Sequence, residues 1–505
     1  ESGQLPGRDF YPYLGVGPLL AIFPIYKIFG GDLAATVAAA KFVTIFLSWM
    51  AVATLWHFVL RPTNVIYSLI GGSLILFGID LIASQSLLSN LLGFGLEPGN
   101  SLRPVRAMLP YLVALSIYFL IKTITHVNAR NFLISATLGI ALLWSNDFAI
   151  PTFGIFLLFV FFWFYCFERN WVRHALIIAA TSLVVWFVVL SLVTAGHLID
   201  LLKYNFLDVA KDQWWYFGPY GSSTRIFEVS QLSRLFSTEN YFPLFVLFVT
   251  LLLAIKTRLI ENYLIFSIGL TLFAGGSLAS IGGHLGGYFG GFYFWGIVTA
   301  LIFSLKALTL VANTGKWLAF FRPCWMHISG LLIIGLMASV ALQDYKRNVK
   351  QAQADQTKFY VDEFGAYLDV SFREYIDYAR QNSDYIAIED YWGLWNSLNR
   401  SFPPWPVDSV IHALGNVREI SRDSLKKADL IITTRYSTST TWQPWNLSQN
   451  YWFYDDLIAN WAPILTSPTT IVWKRAHDRS AFLRVACHVS ADGNSFTLPQ
   501  SAPGF

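Results

Sequence analysis

Charge is what this chain has least of. Only 13% of its 505 residues are Asp, Glu, Lys or Arg, about half the share of a soluble globular domain, so most of the chain is not built for water. The charge that remains is nearly balanced at +4 and is spread over connecting segments. A nucleic-acid-binding surface, which needs clustered Lys and Arg, is excluded. Cysteine is almost absent. Of Cys166, Cys324 and Cys487, only the last lies beyond residue 343, so that C-terminal part holds no internal disulfide. No glycine-rich phosphate loop followed by Lys and Ser or Thr is present, and no Cys/His spacing of the zinc-binding kind. These absences remove an ATP-driven machine and a structural zinc site.

What is present is apolar: 55% hydrophobic and 17% aromatic residues, with a mean hydropathy of +0.48. Residues 1–343 hold 19 Lys+Arg and 13 Asp+Glu, whereas the much shorter stretch 344–505 holds 16 and 18. The first part is a series of apolar runs close to the ~20 residues that cross a bilayer. They lie at 34–59, 63–84, 105–121, 131–146, 150–167, 174–195, 241–256, 262–281, 288–305 and 324–343. The expected fold is a polytopic α-helical membrane protein of about ten spans, with one more upstream of Glu1, and a soluble C-terminal α/β domain. Residues 1–33 form an outer loop with an interfacial juxtamembrane helix, 34–343 the transmembrane module and 344–505 the soluble domain.

Basic residues orient the spans. Arg61, Lys122 with Arg130, Arg169 with Arg173, Lys256 with Arg258, and Lys306 with Lys316 and Arg322 fall in alternate connections, which become cytoplasmic. Loops 85–104, 146–149, 196–240 and 281–287 and the tail then face the other side, expected to be the periplasmic or extracellular side of a bacterial inner membrane. Residues 12–30 are apolar but carry Pro12, Pro18 and Pro24. Prolines at this density predict a broken helix lying in the outer interface, which leaves Asp9 outside.

The non-cytoplasmic side collects the unusual polar residues. Asp9 sits in Gly7-Arg8-Asp9-Phe10-Tyr11. Lys41 and Asp80 lie near outer helix ends. Arg103 and Arg106 precede a span, and Asp147 sits in the turn Trp144–Phe148. Lys203, Tyr204, Trp214 and Trp215 occupy the long outer loop, and His284 lies between glycine pairs before Tyr288. Each has an ordinary alternative. Asp9 can be a solvated acid and Asp147 a helix N-cap. Lys41 can snorkel, and Arg103 and Arg106 can meet lipid head groups. His284 can be a plain loop residue, and the tryptophans an interfacial belt. Together they make a surface for a phosphorylated substrate: acids to deprotonate a hydroxyl or hold Mg or Mn, cations to neutralise phosphate, and aromatics to stack on sugars.

On these residues the chain resembles the GT-C superfamily of integral-membrane glycosyltransferases, the group of protein O-mannosyltransferases and lipid A aminoarabinose transferases. The stretch GRDFYPYLGVGPLLAIFPIYKIFGGDLAATVAAAKF is similar to that family's first outer loop and juxtamembrane helix. The resemblance spans roughly residues 5–345. It implies an inverting transferase that uses a polyprenyl-phosphate sugar, with Asp9 as catalytic or metal-contacting acid and Asp147 as the acid of the second outer loop. Arg8, Lys41, Arg103, Arg106, Lys203, Tyr204, Trp214, Trp215, His284 and Tyr288 would bind substrate. The partners would be the lipid-linked donor, the bilayer, and a glycan, lipid or protein acceptor. Two departures stand out. Asp9 is followed by Phe10 rather than Glu, and Trp214-Trp215 by Tyr216 rather than Asp, which argues against protein N-glycosylation.

In the tail, 344–380 reads as helical, and DYIAIED (384–390), ADLIITTRY (428–436) and TTIVWKR (469–475) read as strands of a small α/β domain. FPPWP (402–406) and 442–456 are aromatic-rich, fit for glycan contact or for packing. Two other functions compete: a flippase for lipid-linked saccharides, which would show inverted repeats and mid-membrane charges, and a non-catalytic subunit of an envelope complex. No internal repeat is visible.

Overall fold

The computed structural model describes residues 4–12, 15–60, 65–66, 68–73, 102–167, 170–209, 238–281, 346–347, 349–391, 393–435, 450–476, 488–489 and 496–497. The expected spans at 288–305 and 324–343, and most of 63–84, lie outside the described residues. The chain divides into two compact units. One is Glu1–Val370 with Leu414–Val417; the other is Ser371–Ala413 with Arg418–Phe505.

The first unit is helical. Its elements are α1 (Gly17–Ile28), α2 (Leu33–Leu60), α3 (Arg103–Ala107), α4 (Leu109–Thr123), α5 (Val127–Ala141), α6 (Asn146–Phe167), α7 (Trp171–Val193), α8 (Leu198–Lys203), a π-helical turn (Tyr204–Asp208), α9 (Thr238–Thr257) and α10 (Ile260–Ile281). Four helices among the described residues are long and apolar enough to cross a membrane: Leu33–Val59, Pro104–Thr123, Asn146–Cys166 and Trp171–Val193. The 23 residues of α7 reach about 34 Å at ~1.5 Å per residue, matching a hydrocarbon core of about 30 Å. Leu176, Leu183, Phe187 and Leu192 stay exposed along it, as expected of a face that meets lipid tails. The protein is thus a helical membrane protein with a C-terminal sheet region.

The helices tolerate polar residues because these bond within their own turn. Thr44 Oγ1 donates to Ala40 O at 2.7 Å, Thr152 Oγ1 to Phe148 O at 2.6 Å and Ser182 Oγ to Ile178 O at 2.7 Å, so no hydroxyl is left facing hydrocarbon there. Close packing comes from small residues. A Cβ on Gly139 of α5 would stand 2.5 Å from Ser182 O of α7, so these two backbones approach as only glycine permits.

Two sequence expectations are corrected here. The prolines do not break residues 17–28: α1 is one continuous helix with Pro24 inside it. Pro18 falls in the first turn, where a missing N–H costs nothing, and Pro24 gives up a single hydrogen bond. Residues 344–380 are not one helical run. The helical stretch stops at residue 354, where Asp355 Oδ1 accepts from Thr357 N at 2.9 Å and Thr357 Oγ1 at 2.6 Å, an Asx turn that competes with the helix. An antiparallel hairpin follows, β1 (Lys358–Val361) with β2 (Ala366–Asp369), and it belongs to the first unit. Gly365 turns the chain at φ +61°, and Tyr360 and Tyr367 pair across the strands at 5.0 Å.

The second unit holds α11 (Arg373–Gln381), β3 (Ala387–Glu389), α12 (Leu394–Leu398), most of α13 (Asn416–Leu425), β4 (Leu430–Thr434), α14 (Tyr451–Asn460), β5 (Trp461–Thr466) and β6 (Thr470–Arg475). The sheet order is β3-β4-β6-β5, with β3 parallel to β4 and the other pairs antiparallel. All residues of β3 and β4 are buried, which explains their unbroken apolar runs. Short strands β7 (His488–Val489) and β8 (Phe496–Thr497) pair separately.

Candidate functional site

The loop carrying Asp9 is folded tightly on itself. Gly7 N donates to Phe10 O at 2.9 Å, and Asp9 N to Leu5 O at 2.9 Å. Leu5 N returns to Asp9 Oδ2 at 2.8 Å. Arg8 forks onto the same carboxylate, Nε reaching both oxygens at 3.0 Å and Nη2 reaching Oδ2 at 2.6 Å. The Arg8 hydrogen bonds, then that of the Leu5 amide, hold the Asp9 carboxyl below its usual range, and nearby His197 acts in the same direction. Asp9 is therefore a carboxylate at neutral pH, and it stays 28% exposed, within reach of a solute.

The loop rests on segment 196–209. Gly7 sits so close to His197 O and Leu201 that no side chain fits, and its φ of +85° suits glycine alone. Tyr11 packs on fully buried Tyr204 with ring centroids 5.1 Å apart. Burial raises the Tyr11 phenol above its ordinary range, and Asp200 and Asp208 add to this.

The Trp144–Phe148 turn meets the same segment. Gly17 N donates to Leu143 O and Trp144 O at 3.0 and 3.1 Å, and a Cβ on Gly17 would lie 2.5 Å from Trp144 Cα. Asn146 Nδ2 donates to Asn205 Oδ1 at 2.9 Å. Trp144 Nε1 donates to Val105 O and Arg106 O at 3.1 and 3.2 Å, which brings α3 to the turn. Arg106 Nη1 forms an ion pair with Asp147 Oδ2, with both side chains largely buried. Asp147 opens α6, where the helix N-terminus also favours a negative charge. Its second oxygen is buried and has no hydrogen-bond partner among the described residues.

The structure thus brings Arg8, Asp9, Arg106, Asp147 and Tyr204 around segment 196–209. Lys203 ends α8 and points outward, Lys41 is exposed on α2, and Arg103 opens α3. Asp80, Trp214, Trp215, His284 and Tyr288 lie outside the described residues. Sequence reasoning passed over His197, Asn205 and Asp208. Nothing in their local sequence pattern marks them; their partners, Asn146 for Asn205 and Asn416 for Asp208, are far along the chain.

A divalent cation at Asp9 or Asp147 would have to share its carboxylate with Arg8 or Arg106. Among the described residues no three His, Cys, Asp or Glu side chains converge, and Asp9 and Asp147 are each paired with an arginine.

No family model matches the chain, and no curated protein matches it. Among solved structures it is similar to the crystal structure of ArnT from Cupriavidus metallidurans bound to undecaprenyl phosphate. That likeness has 11% identity, covers 94% of this chain and 90% of that one, and has a TM-score of 0.45. A likeness of this size shows neither shared fold nor shared chemistry.

Proposed function

We propose that this protein is a membrane glycosyltransferase that moves a sugar from a polyprenyl-phosphate carrier to a glycan, lipid or protein acceptor on the non-cytoplasmic face. The observation that carries this is a partly exposed, ionised Asp9 held by Arg8 at a helix-bundle end that also gathers the Arg106–Asp147 pair. The bundle supports the side. Lys122, Arg130, Arg173, Lys256 and Arg258 sit at the other ends of α4, α5, α7 and α9 or just beyond, which suits a cytoplasmic face. The Asp9 loop then faces away from the cytoplasm.

The chemistry would be a single displacement. The acceptor oxygen attacks the anomeric carbon, the bond from that carbon to the phosphate oxygen breaks, and Asp9 takes the acceptor proton. Its lowered basicity makes that transfer late, once the new bond is largely formed. Arg103 and Lys203, with His284, are the groups proposed to meet the departing phosphate. Arg106 fixes Asp147 within this constellation.

The test is transfer of labelled sugar from polyprenyl-phosphate donors by purified protein in detergent, with and without EDTA. Wild type, Asp9→Asn and Asp147→Asn are compared, with the folded state of each checked by thermal unfolding. Turnover that survives Asp9→Asn removes Asp9 from the chemistry. No turnover with any donor by folded wild type removes the transferase assignment.

A further inference from the structure

The π-helical turn Tyr204–Asp208 has an inverted burial pattern. Its polar residues Asn205 and Asp208 are 8% and 7% exposed, while apolar Phe206 and Leu207 are 42% and 63% exposed. Val209 N donates to Tyr204 O, five residues back. This geometry costs hydrogen-bond quality and recurs at functional sites. It turns three side chains inward at once, each to a different segment. Tyr204 meets Tyr11 in the Asp9 loop. Asn205 Oδ1 accepts from Asn146, next to Asp147, while its Nδ2 donates to Leu201 O at 3.2 Å. Asp208 Oδ1 accepts from Asn416 N at 3.3 Å. Residues Leu414–Val417 belong to this same unit, and Gly415, at φ +54°, is pressed against the Asp208 carboxylate.

We infer that this turn is a positioning element that keeps the Asp9 loop and the Asp147 turn in one register. Asn205 is the positioning residue toward Asp147, Tyr204 the one toward Asp9, and Asp208 is the anchor. Such burial is costly for an ordinary surface turn. A surface turn in a membrane protein would gain by burying Phe206 and Leu207 or by giving them to lipid, with its polar groups in water. Here the polar groups are buried instead, and each ends on a segment that carries or adjoins an acid of the site or on the anchor. The role in catalysis rests on the transferase assignment above; the mechanical role does not.

The test has two arms on Asn205→Leu, which keeps the side-chain size and removes both hydrogen bonds, and on the cycle of Asn146→Ala with Asn205→Ala. In hydrogen exchange of the full chain in detergent, amides in residues 5–11 and 144–147 are expected to exchange about tenfold faster, the worth of one buried hydrogen bond. Those of α5 and α7 stay at wild-type rates. In turnover, kcat falls about tenfold with KM for the donor within about twofold, since a misplaced acid harms the transition state more than binding. The double Ala variant is no slower than either single one. Unchanged exchange in residues 5–11, or loosening spread over the whole helical unit, overturns the inference. Wild type without turnover defeats the transferase assignment alone, and the exchange arm still decides the positioning role.

Discussion

Raising the pH from 6 to 8 should weaken the second unit, and the effect should trace to one side chain. Glu389 ends β3 and is 4% exposed. Its Oε1 accepts from Tyr375 Oη and Leu394 N, and its Oε2 from Trp395 N, all at 2.9 Å. Burial nevertheless outweighs these donors and lifts the carboxyl from 4.5 to about 7. Neighbouring Asp390 is bound by Thr434 and Tyr454, and burial lifts it from 3.8 to about 6. A raised pKa means that the folded state holds a proton the unfolded chain has lost. Glu389 therefore favours folding fully below about pH 4.5, and that contribution drains away as pH climbs to about 7. The whole shift is worth about 3 kcal/mol at ~1.4 kcal/mol per unit. About 1.4 kcal/mol of it falls between pH 6 and 8, where most of the Asp390 contribution is already spent. The assay is protection of β3 and β4 amides in the full chain, corrected for intrinsic exchange rates. Glu389→Gln stays neutral at every pH. It should lose about 1 kcal/mol outright, because its NH2 faces the Trp395 amide, yet show little slope from pH 6 to 8. A variant that keeps the wild-type slope refutes the reasoning.

Gly139→Ala should lower thermal stability in detergent by about 1–3 kcal/mol, since the new Cβ would stand 2.5 Å from Ser182 O. Gly154→Ala, which meets nothing within 4 Å, should be neutral or slightly stabilising. Arg106→Met should destabilise by about 3–5 kcal/mol by stranding a buried carboxylate, and Arg106→Met with Asp147→Leu should recover much of that, read as unfolding midpoints. Arg8→Ala should move the acid limb of the turnover profile to higher pH, because Arg8 is the main cause that keeps Asp9 ionised; an unmoved limb separates Asp9 from that limb.

Much of the helical unit was legible because it rests on composition. Apolar runs of the right length mark α2, α4, α6 and α7 whatever their neighbours do. The start of α5 was missed by four residues, since its boundary is set by the His126 ring accepting from Ala129 N rather than by hydropathy. Strand β5 was missed because Pro463 argues against a strand; it is tolerated because β5 is the sheet edge, where a missing N–H is not needed. The hairpin 358–369 was hidden by charged neighbours that read equally well as helix.

The site shows a sharper divide. Arg8, Asp9, Arg106 and Asp147 could be nominated one by one, since charges at the edge of a bilayer are costly enough to stand out. Their pairing could not. Arg106 and Asp147 are 41 residues apart, and nothing in either local pattern names the other. The pairing also reverses the simplest expectation for Arg106, because a guanidinium already committed to Asp147 and 5% exposed is better placed to fix an acid than to grip a phosphate. The same holds for Tyr204: an aromatic in a loop suggests a sugar platform, but a fully buried ring packed on Tyr11 is a support. Residue chemistry proposes what a side chain can do, and its partners decide whether it is offered to substrate or spent on holding another. At this bundle end Asp9 is the acid left partly exposed, Arg8 is spent on holding it, and buried Tyr204 supports its loop through Tyr11.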